Sequence, residues 1–578
     1  MSLQSTYDKL ATIPISASPS ECAVGWSVVL ERLLERRPRI VCVECYPGVH
    51  TDELERSISI AFQPSQVFRA SDVLKSSADI EEMLAPFLTD DPVFGRMNGL
   101  RIEDFLDSDK LARARNQINK AQGRVLVLGT GAALLGARVD VLVYADLARW
   151  EIQQRQRRNE ISNLGADNRH ERASLKYKRA FFADWRAADR LKKELFPTID
   201  FLLDTHNPLE PKLVSGDVVR KALGGVATRP FRVVPFFDPG PWGGEWMRRV
   251  CDLPAEAPNY AWCFDCVPEE NSLRLGFGAT SIEIPAVDLV FLEPRRLLGD
   301  AVHGRFGTEF PIRFDFLDTI EGGNLSLQVH PLTEYIQDQF GMNYTQDESY
   351  YLLDAKEDAG VFLGLREGVS AEEMVRALDC AQRGNCPFPA KRFVNWWPAK
   401  KHDHFLIPAG TVHCSGKNCM VLEISATPYI FTFKLWDWDR LDLEGRPRPI
   451  HLEHGRRNIQ WDRDTDWVRQ NLVNRIERIS EGDGWCEERT GLHEREFIET
   501  RRHWFTRKVS HHTQGGVNVL NLVEGAEVVV ESPEERFAPF VVHYAETFIV
   551  PAAVGPYTIR PTSPGRCATI KAYVRTNP

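Results

Sequence analysis

Near residue 230 the apolar residues change their period, and that change divides the chain. Upstream, predominantly apolar runs alternate with helix-patterned stretches: RIVCVECY at 39–46, RVLVLGTGAALLG at 124–136, VDVLVYADL at 139–147 and TIDFLLDTH at 198–206. Strands without a polar face are buried on both sides. Their alternation with helices predicts an α/β domain with a parallel sheet covered on both faces. Downstream, short strands of period-two alternation follow one another between Gly, Pro, Asn and Asp: SLRLGFG, SLQVH, YYLLDA, GVFLGL, HFLIPAG, MVLEIS and IFTFKLW. This pattern belongs to all-β barrels or sandwiches. A helical insertion is predicted over 370–382 with Ser370 as its N-cap, and another helical stretch near 450–478. From about residue 495 a second β-rich block runs to the end, so the barrel is expected twice. The expected division is 1–230 (α/β), 231–460 (first barrel), 461–495 (helical linker) and 496–578 (second barrel).

A chain of 578 residues is too long for one ordinary core. Its net charge of −10 argues against a broad grip on nucleic acid. The basic stretch 149–158 reads as one polar helix face. No apolar run approaches the roughly 20 residues that span a bilayer, and the N-terminus lacks the basic start and apolar core of a signal peptide. Neither nucleic acid nor membrane is an expected partner, and a cytoplasmic location is expected. The 12 cysteines form no regular framework, and several, such as Cys42 and Cys419, sit in apolar runs. Cys263 and Cys266 have metal-like spacing, but no second CxxC follows.

Three pieces of the middle block offer metal ligands. In LSLQVHP (325–331), Gln328 and His330 are two apart on a strand and face the same side. In DESYYLLDA (347–355), Glu348 opens an alternating strand. In PAGTVHCSG (408–416), a Pro-Ala-Gly turn places His413 at the start of the next strand. Two imidazoles, a carboxylate and an amide oxygen make a donor set that zinc fits, and that also admits manganese, iron or cobalt. A single strand histidine is more often a packed, hydrogen-bonded residue than a ligand. Two of them with Gln and Glu on separate strands are harder to reconcile with packing alone.

LSLQVHP, ESYYLLDA with FLGLREG after it, PAGTVHCSG with VLEIS after it, and WDWDR (436–440) together resemble the type I phosphomannose isomerases of bacteria. FDPGPWGGEWM (237–247) is similar to the WGG entry of that family, FPIRFDFLD (310–318) to the strand before its first ligands, and IVPAAVGPYTI (549–559) to the last strands of its second cupin. The resemblance implies a double cupin of jelly-roll barrels. It further implies that Gln328, His330, Glu348 and His413 hold zinc, and that mannose 6-phosphate and fructose 6-phosphate interconvert through a cis-enediol. Arg440 corresponds to the family's arginine beside the substrate and is the candidate for charge stabilisation; the alternative is an ordinary ion pair to Asp437 or Asp439. Two departures remove lysines. Asp315 stands where FPxxxK has its lysine, with Arg313 on the same side of the strand as a possible substitute for binding substrate. Thr345-Gln346-Asp347 stands where Gly-Lys-Thr is common.

In the N-terminal part, 39–56, 149–159 and 178–205 resemble the P-loop, lid and last strand of uridine-kinase-type proteins. The loop reads ECYPGVHT, so Val49-His50-Thr51 would stand for Gly-Lys-Thr with only Thr51 kept as a magnesium ligand. Such a loop should bind ATP poorly, and a structural or regulatory domain is expected. GTGAALLG (129–136) is either a phosphate site or a tight turn. The second β-block carries His511, His512 and His543, but PAAVGPYTI has no histidine, so this barrel is expected to be metal-free and structural. Two functions stand open: a zinc-dependent isomerase of sugar phosphates, or a non-catalytic sugar-phosphate-binding protein.

Overall fold

A computed structural model describes residues 5–136, 139–384, 386–426, 431–441, 445, 448–491, 493 and 496–576. The chain forms two compact units. One comprises Thr12–Val226 with Glu269–Glu293; the other comprises the segment ending at Ala11 with Ala227–Pro268 and Pro294–Pro578.

The first unit is built on a seven-stranded sheet. From edge to edge it runs Cys22–Val24, Lys212–Ser215, Phe201–Asp204, Val141–Asp146, Ile40–Cys45, Val125–Gly129 and Gln66–Arg69. The last five are parallel; Lys212–Ser215 and Cys22–Val24 close one edge antiparallel. Ile40–Cys45 is buried at every residue, its one charged side chain, Glu44, included. The helix Thr51–Phe62 covers the sheet through Leu54, Ile58 and Phe62, spaced four apart.

Two expectations change here. SLRLGFG does not join the barrels. Ser272–Phe277 and Thr280–Pro285 form a hairpin that pairs in parallel with Thr12–Pro14 inside the first unit. Period-two alternation marks a half-buried strand and says nothing of which sheet receives it, so a boundary at 230 could not register the return of 269–293. Nor is 149–158 a solvated face. In the helix Arg149–Arg157, the side chains of Arg149, Glu151, Ile152, Arg155 and Gln156 are buried. Arg149 Nη2 lies 2.6 Å from Asp189 Oδ2, and Arg155 Nε lies 3.0 Å from Glu151 Oε1. The charges are tolerated inside because they are paired there.

GTGAALLG is a tight turn, closed by Leu134 N–H donating to Gly131 O at 3.0 Å. Glu44, buried near the end of Ile40–Cys45, the central strand of the five parallel ones, accepts from the backbone N–H groups of Gly131 at 2.7 Å and Ala133 at 2.8 Å. The turn's amides hold an internal carboxylate instead of a phosphate. Burial pushes this carboxyl up to about 7, against the two amides that lower it. A carboxyl raised in the folded state is stabilising below its unfolded value, and that contribution is lost as pH rises through the folded value. The first unit should therefore lose about 3 kcal/mol between pH 4.5 and 7 from this group. Denaturation midpoints followed over that range should slope downward in the wild type and flatten in Glu44→Gln.

The second unit contains two barrels, each of two sheets. In the first, a six-stranded sheet runs His404–Ile407, Glu348–Ala355, Cys419–Ser425, Arg313–Asp318, Trp262–Cys266 and Phe236–Asp238. It faces Val394–Pro398, Gly360–Leu365, His413–Ser415, Leu327–Val329 and Phe433–Trp436. The start of IFTFKLW, at 430, lies outside the described residues. The insertion helix is Ala371–Gln382, with the Ser370 side chain accepting from Glu373 N.

In the second barrel, Glu477–Gly482, Trp485–Gly491, Ile498–Phe505, Cys567–Val574, Asn518–Glu524 and Thr547–Val550 face Val509–His512, Pro556–Pro561, Glu527–Glu531 and Phe540–His543. Its apolar core includes Phe505, Leu520, Leu522, Val528, Val550 and Ile559. The segment 461–495 is only partly helical. After the helix Thr465–Asn471, a hairpin turning at Gly484 (φ 78°) adds two strands to this barrel. The Glu- and Arg-rich outer face of those strands hides their alternation in the sequence.

Cys263 and Cys266 lie buried in Trp262–Cys266 and belong to no three-residue ligand cluster among the described residues. Cys380 and Cys386 are bonded to each other. Among the described residues no helix is long and apolar enough to cross a membrane.

Candidate metal centre

The two sheets of the first barrel bring His330, Glu348 and His413 together. One ligand atom from each lies within 4.8 Å of the others, and all three side chains are fully buried. Glu348 is the first residue of its strand in one sheet; His413 opens a strand of the other, where it stands opposite Gln328. The turn before His413 needs its glycine. Gly410 has φ +87°, and a Cβ there would stand 2.7 Å from Gln460 Cγ. Gly410 N–H donates to the His330 carbonyl at 3.0 Å, tying the loops of both histidines together.

Hydrogen bonding fixes both imidazoles with the same nitrogen inward. His330 Nδ1 bonds Phe431 O at 2.8 Å, and His413 Nδ1 bonds Thr411 O at 2.8 Å. Donation to a carbonyl puts the proton on Nδ1 and leaves Nε2 a lone pair. His330 Nε2 is 3.0 Å from Glu348 Oε2, and His413 Nε2 is 2.9 Å from Glu348 Oε1. The Gln328 amide lies 3.2 Å from His413 Nε2, and its O/N assignment follows the partner. Among the described residues, His330 Nε2 and Glu348 Oε1 have no hydrogen-bond partner despite their burial. Two inward imidazole nitrogens, a carboxylate and an amide, with buried orphan atoms converging on one point, fit a divalent cation of the zinc type.

Burial opposes charge on His330, yet Glu348 raises the imidazole above its ordinary value. The two imidazoles in turn hold Glu348 well below the carboxylate range, against its own burial. Gln346, one of the residues replacing the family's Gly-Lys-Thr, donates to Glu348 Oε2 at 2.9 Å. It supports the carboxylate from outside the cluster.

Arg313 and Asp315 lie on the same interior face as Glu348. Across three strands the register makes one row of Arg313, Ser425 and Glu348, and a second of Asp315, Glu423 and Tyr350. Arg313 is tied to Asp315 at 3.2 Å, both buried, so its charge is already matched within the strand. Arg440 is ion-paired to Asp437 at 2.7 Å, and Arg448 takes the other oxygen at 2.9 Å. Asp439 instead accepts from Trp436 Nε1 at 3.2 Å. Ser326 Oγ, two residues before Gln328, also donates to Asp437 at 2.7 Å.

The sequence reading passed over two residues on this interior. Glu423 is a buried carboxylate beside Asp315 and Tyr350; burial first, then Glu348 and Asp315, push it well above the usual range. Lys434 stands opposite Gln328 in the ladder and so shares its face. A charged residue inside VLEIS or TFKLW is the only signal the sequence offers, and the register that turns each inward is not local.

Fold and donor set together define a double β-barrel protein of the cupin architecture with a buried His–Glu–His cluster. Comparisons with known proteins lead to sugar-phosphate isomerases. Over 214 residues the chain is 28% identical to the mannose-6-phosphate isomerase of Streptococcus mutans serotype c, covering 37% of this chain and 62% of that protein. The chain thus spans less than two thirds of that relative's length. The mannose-6-phosphate isomerase ManA of Bacillus subtilis is 27% identical over 234 residues, 39% of this chain and 67% of the relative. A crystal structure of the mannose 6-phosphate isomerase from Bacillus subtilis aligns with 60% of this chain and all of its own, at 19% identity and a TM-score of 0.49. Residues 25–228 match a family described as a domain of unknown function, DUF8485.

The first unit has its own candidate site. A pocket of about 870 Å³ opens beside the loop after the central strand, lined among others by Gly48, His50, Thr51, Arg155, Arg158 and His206. Arg155 donates to the Gly48 carbonyl at 2.9 Å and to Thr205 O at 2.6 Å. The loop thus offers a carbonyl to a buried cation, where a phosphate cradle offers amides.

Proposed function

We propose that the first barrel is a metal-dependent aldose–ketose isomerase acting on a sugar phosphate, with mannose 6-phosphate and fructose 6-phosphate as its pair. The observation that carries this reading is the buried His330–Glu348–His413 cluster, with both Nε2 atoms inward, in a chain related to mannose-6-phosphate isomerases. Gln328, His330, Glu348 and His413 would hold zinc or another divalent cation, which supplies Lewis acidity at the oxygens on C1 and C2. The protein's own groups do the rest. Glu423, on the interior face two residues from Ser425, is the candidate to move the proton between C1 and C2. Lys434, with Arg440 and Arg448 around Asp437, supplies the positive charge for the phosphate. Arg313 is the weaker candidate because Asp315 already neutralises it.

The second reading, a non-catalytic sugar-phosphate-binding protein, is favoured by that same Asp315–Arg313 pair in place of the family's lysine. A coupled isomerase assay with mannose 6-phosphate separates the two. Activity lost on chelation and restored by zinc is the expected result. Zinc-loaded protein that binds mannose 6-phosphate without turning it over would establish the binding-protein reading instead. For the first unit, the Arg155–Gly48 contact supports a structural or regulatory role without phosphoryl transfer.

A further inference from the structure

Strand order and pairing register allow the two barrels to be compared row by row, and the comparison shows an inversion of charge. In the first, the interior rows across three strands are Arg313–Ser425–Glu348 and Asp315–Glu423–Tyr350. In the second they are Glu499–Tyr573–Asn518 and Arg501–Lys571–Leu520. On the facing sheets, Gln328 opposite His413 becomes His511 opposite Tyr557. Where Glu348 meets His413, Asn518 Oδ1 accepts from the Tyr557 hydroxyl at 3.0 Å. The acidic pair Asp315 and Glu423 is replaced by the basic pair Arg501 and Lys571.

Several of these interior groups lack a counterpart. His511 is 6% exposed, and neither ring nitrogen has a hydrogen-bond partner among the described residues. Its ring stacks on Tyr557 at 5.1 Å and meets His503 edge-on at 4.4 Å. His503 is 3% exposed; its Nε2 lies 3.2 Å from Glu487, and its Nδ1 has no hydrogen-bond partner among the described residues. The Thr569 hydroxyl, opposite His503, has none either. Lys571 is 8% exposed, with its ammonium 5.5 Å from the Tyr573 ring and in no hydrogen bond or ion pair with the described residues. Arg501, by contrast, is matched by Glu499 at 2.7 Å and Glu487 at 3.0 Å. Burial pushes the Lys571 ammonium down to about 8. Buried donors without partners are costly, and a barrel that were only structural would fill these positions with apolar groups, as its other end does. A metal cation would be repelled by Lys571. A compact acceptor of negative charge satisfies ammonium, imidazoles and hydroxyl together.

We propose that the interior of the second barrel binds a small oxyanion, a phosphate or a carboxylate, between Lys571, His511 and His503. The test uses the full-length, metal-loaded protein titrated calorimetrically with inorganic phosphate and, separately, with acetate; the tighter anion identifies the group. Saturable binding is expected, weakened at least tenfold in Lys571→Met and in His511→Phe, and retained in Lys571→Arg. Lys508→Met, at an exposed lysine of the same barrel paired with Glu531 at 3.0 Å, should leave it in place. Binding that survives Lys571→Met unchanged, or that disappears only in Lys434→Met of the first barrel, overturns the proposal, as does failure of both anions to bind. Should Lys571→Met not fold, the wild-type melting temperature decides: a rise with anion concentration that His511→Phe abolishes supports the site, and no rise rejects it.

Discussion

Glu348→Gln is expected to abolish divalent-metal binding at the candidate centre of the first barrel. The carboxylate lies within 3.0 Å of both inward imidazole nitrogens and is the only formal negative charge in the cluster. Glutamine keeps the volume, so the barrel should fold while metal affinity falls at least about 100-fold and isomerase turnover about 1000-fold. Metal content after dialysis against a chelator gives the first number, and the coupled assay gives the second. Gln346→Ala is the graded control. Gln346 donates to Glu348 Oε2, and losing that support should cost about tenfold in metal affinity. Equal metal content in wild type and Glu348→Gln would remove the cluster from consideration as a metal centre.

Lys192→Met should destabilise the first unit by about 3–5 kcal/mol. The ammonium sits between Asp146 Oδ2 at 2.7 Å and Asp288 Oδ1 at 2.8 Å, with all three residues essentially unexposed. Removing it leaves two carboxylates facing each other in a medium that solvates neither. The deficit should shrink as pH falls, because the stranded acids then take up protons; Asp288 is already pushed well above its usual range by burial. Adding Asp288→Asn to Lys192→Met should recover part of the loss. Urea denaturation at pH 5 and pH 8 measures both effects, and a midpoint that does not move in Lys192→Met at pH 8 would refute the account.

How much of this could be read from the sequence follows from the range of the interactions. Parallel strands, the insertion helix capped by Ser370 and two β-blocks are local patterns of period and capping, and they are legible. Gln328, His330, Glu348 and His413 were nameable because strand ends and a Pro-Ala-Gly turn display them. What brings them to one point is the facing of two sheets, which no spacing contains. Lys434 and Glu423 were passed over for the same reason: each is one charged residue in an apolar run until register assigns its side. The helix at 149–157 misled because a run of arginines looks solvated, and only the tertiary partners Asp189 and Glu151 make it an interior element.

The return of Glu269–Glu293 to the first unit bears on how the protein is made. Lys192 leaves the ribosome long before Asp288, its partner 96 residues later in the chain. Until that residue emerges, the lysine has only half of its counter-charge, and the strand Thr12–Pro14 has no hairpin to pair with. At elongation rates of about 5–20 residues per second, the nascent sheet would wait on the order of 5–20 seconds with that gap open. During that interval the newborn domain is a natural client for chaperones, although the finished one is closed. Splitting the chain at residue 226 would make the interval permanent.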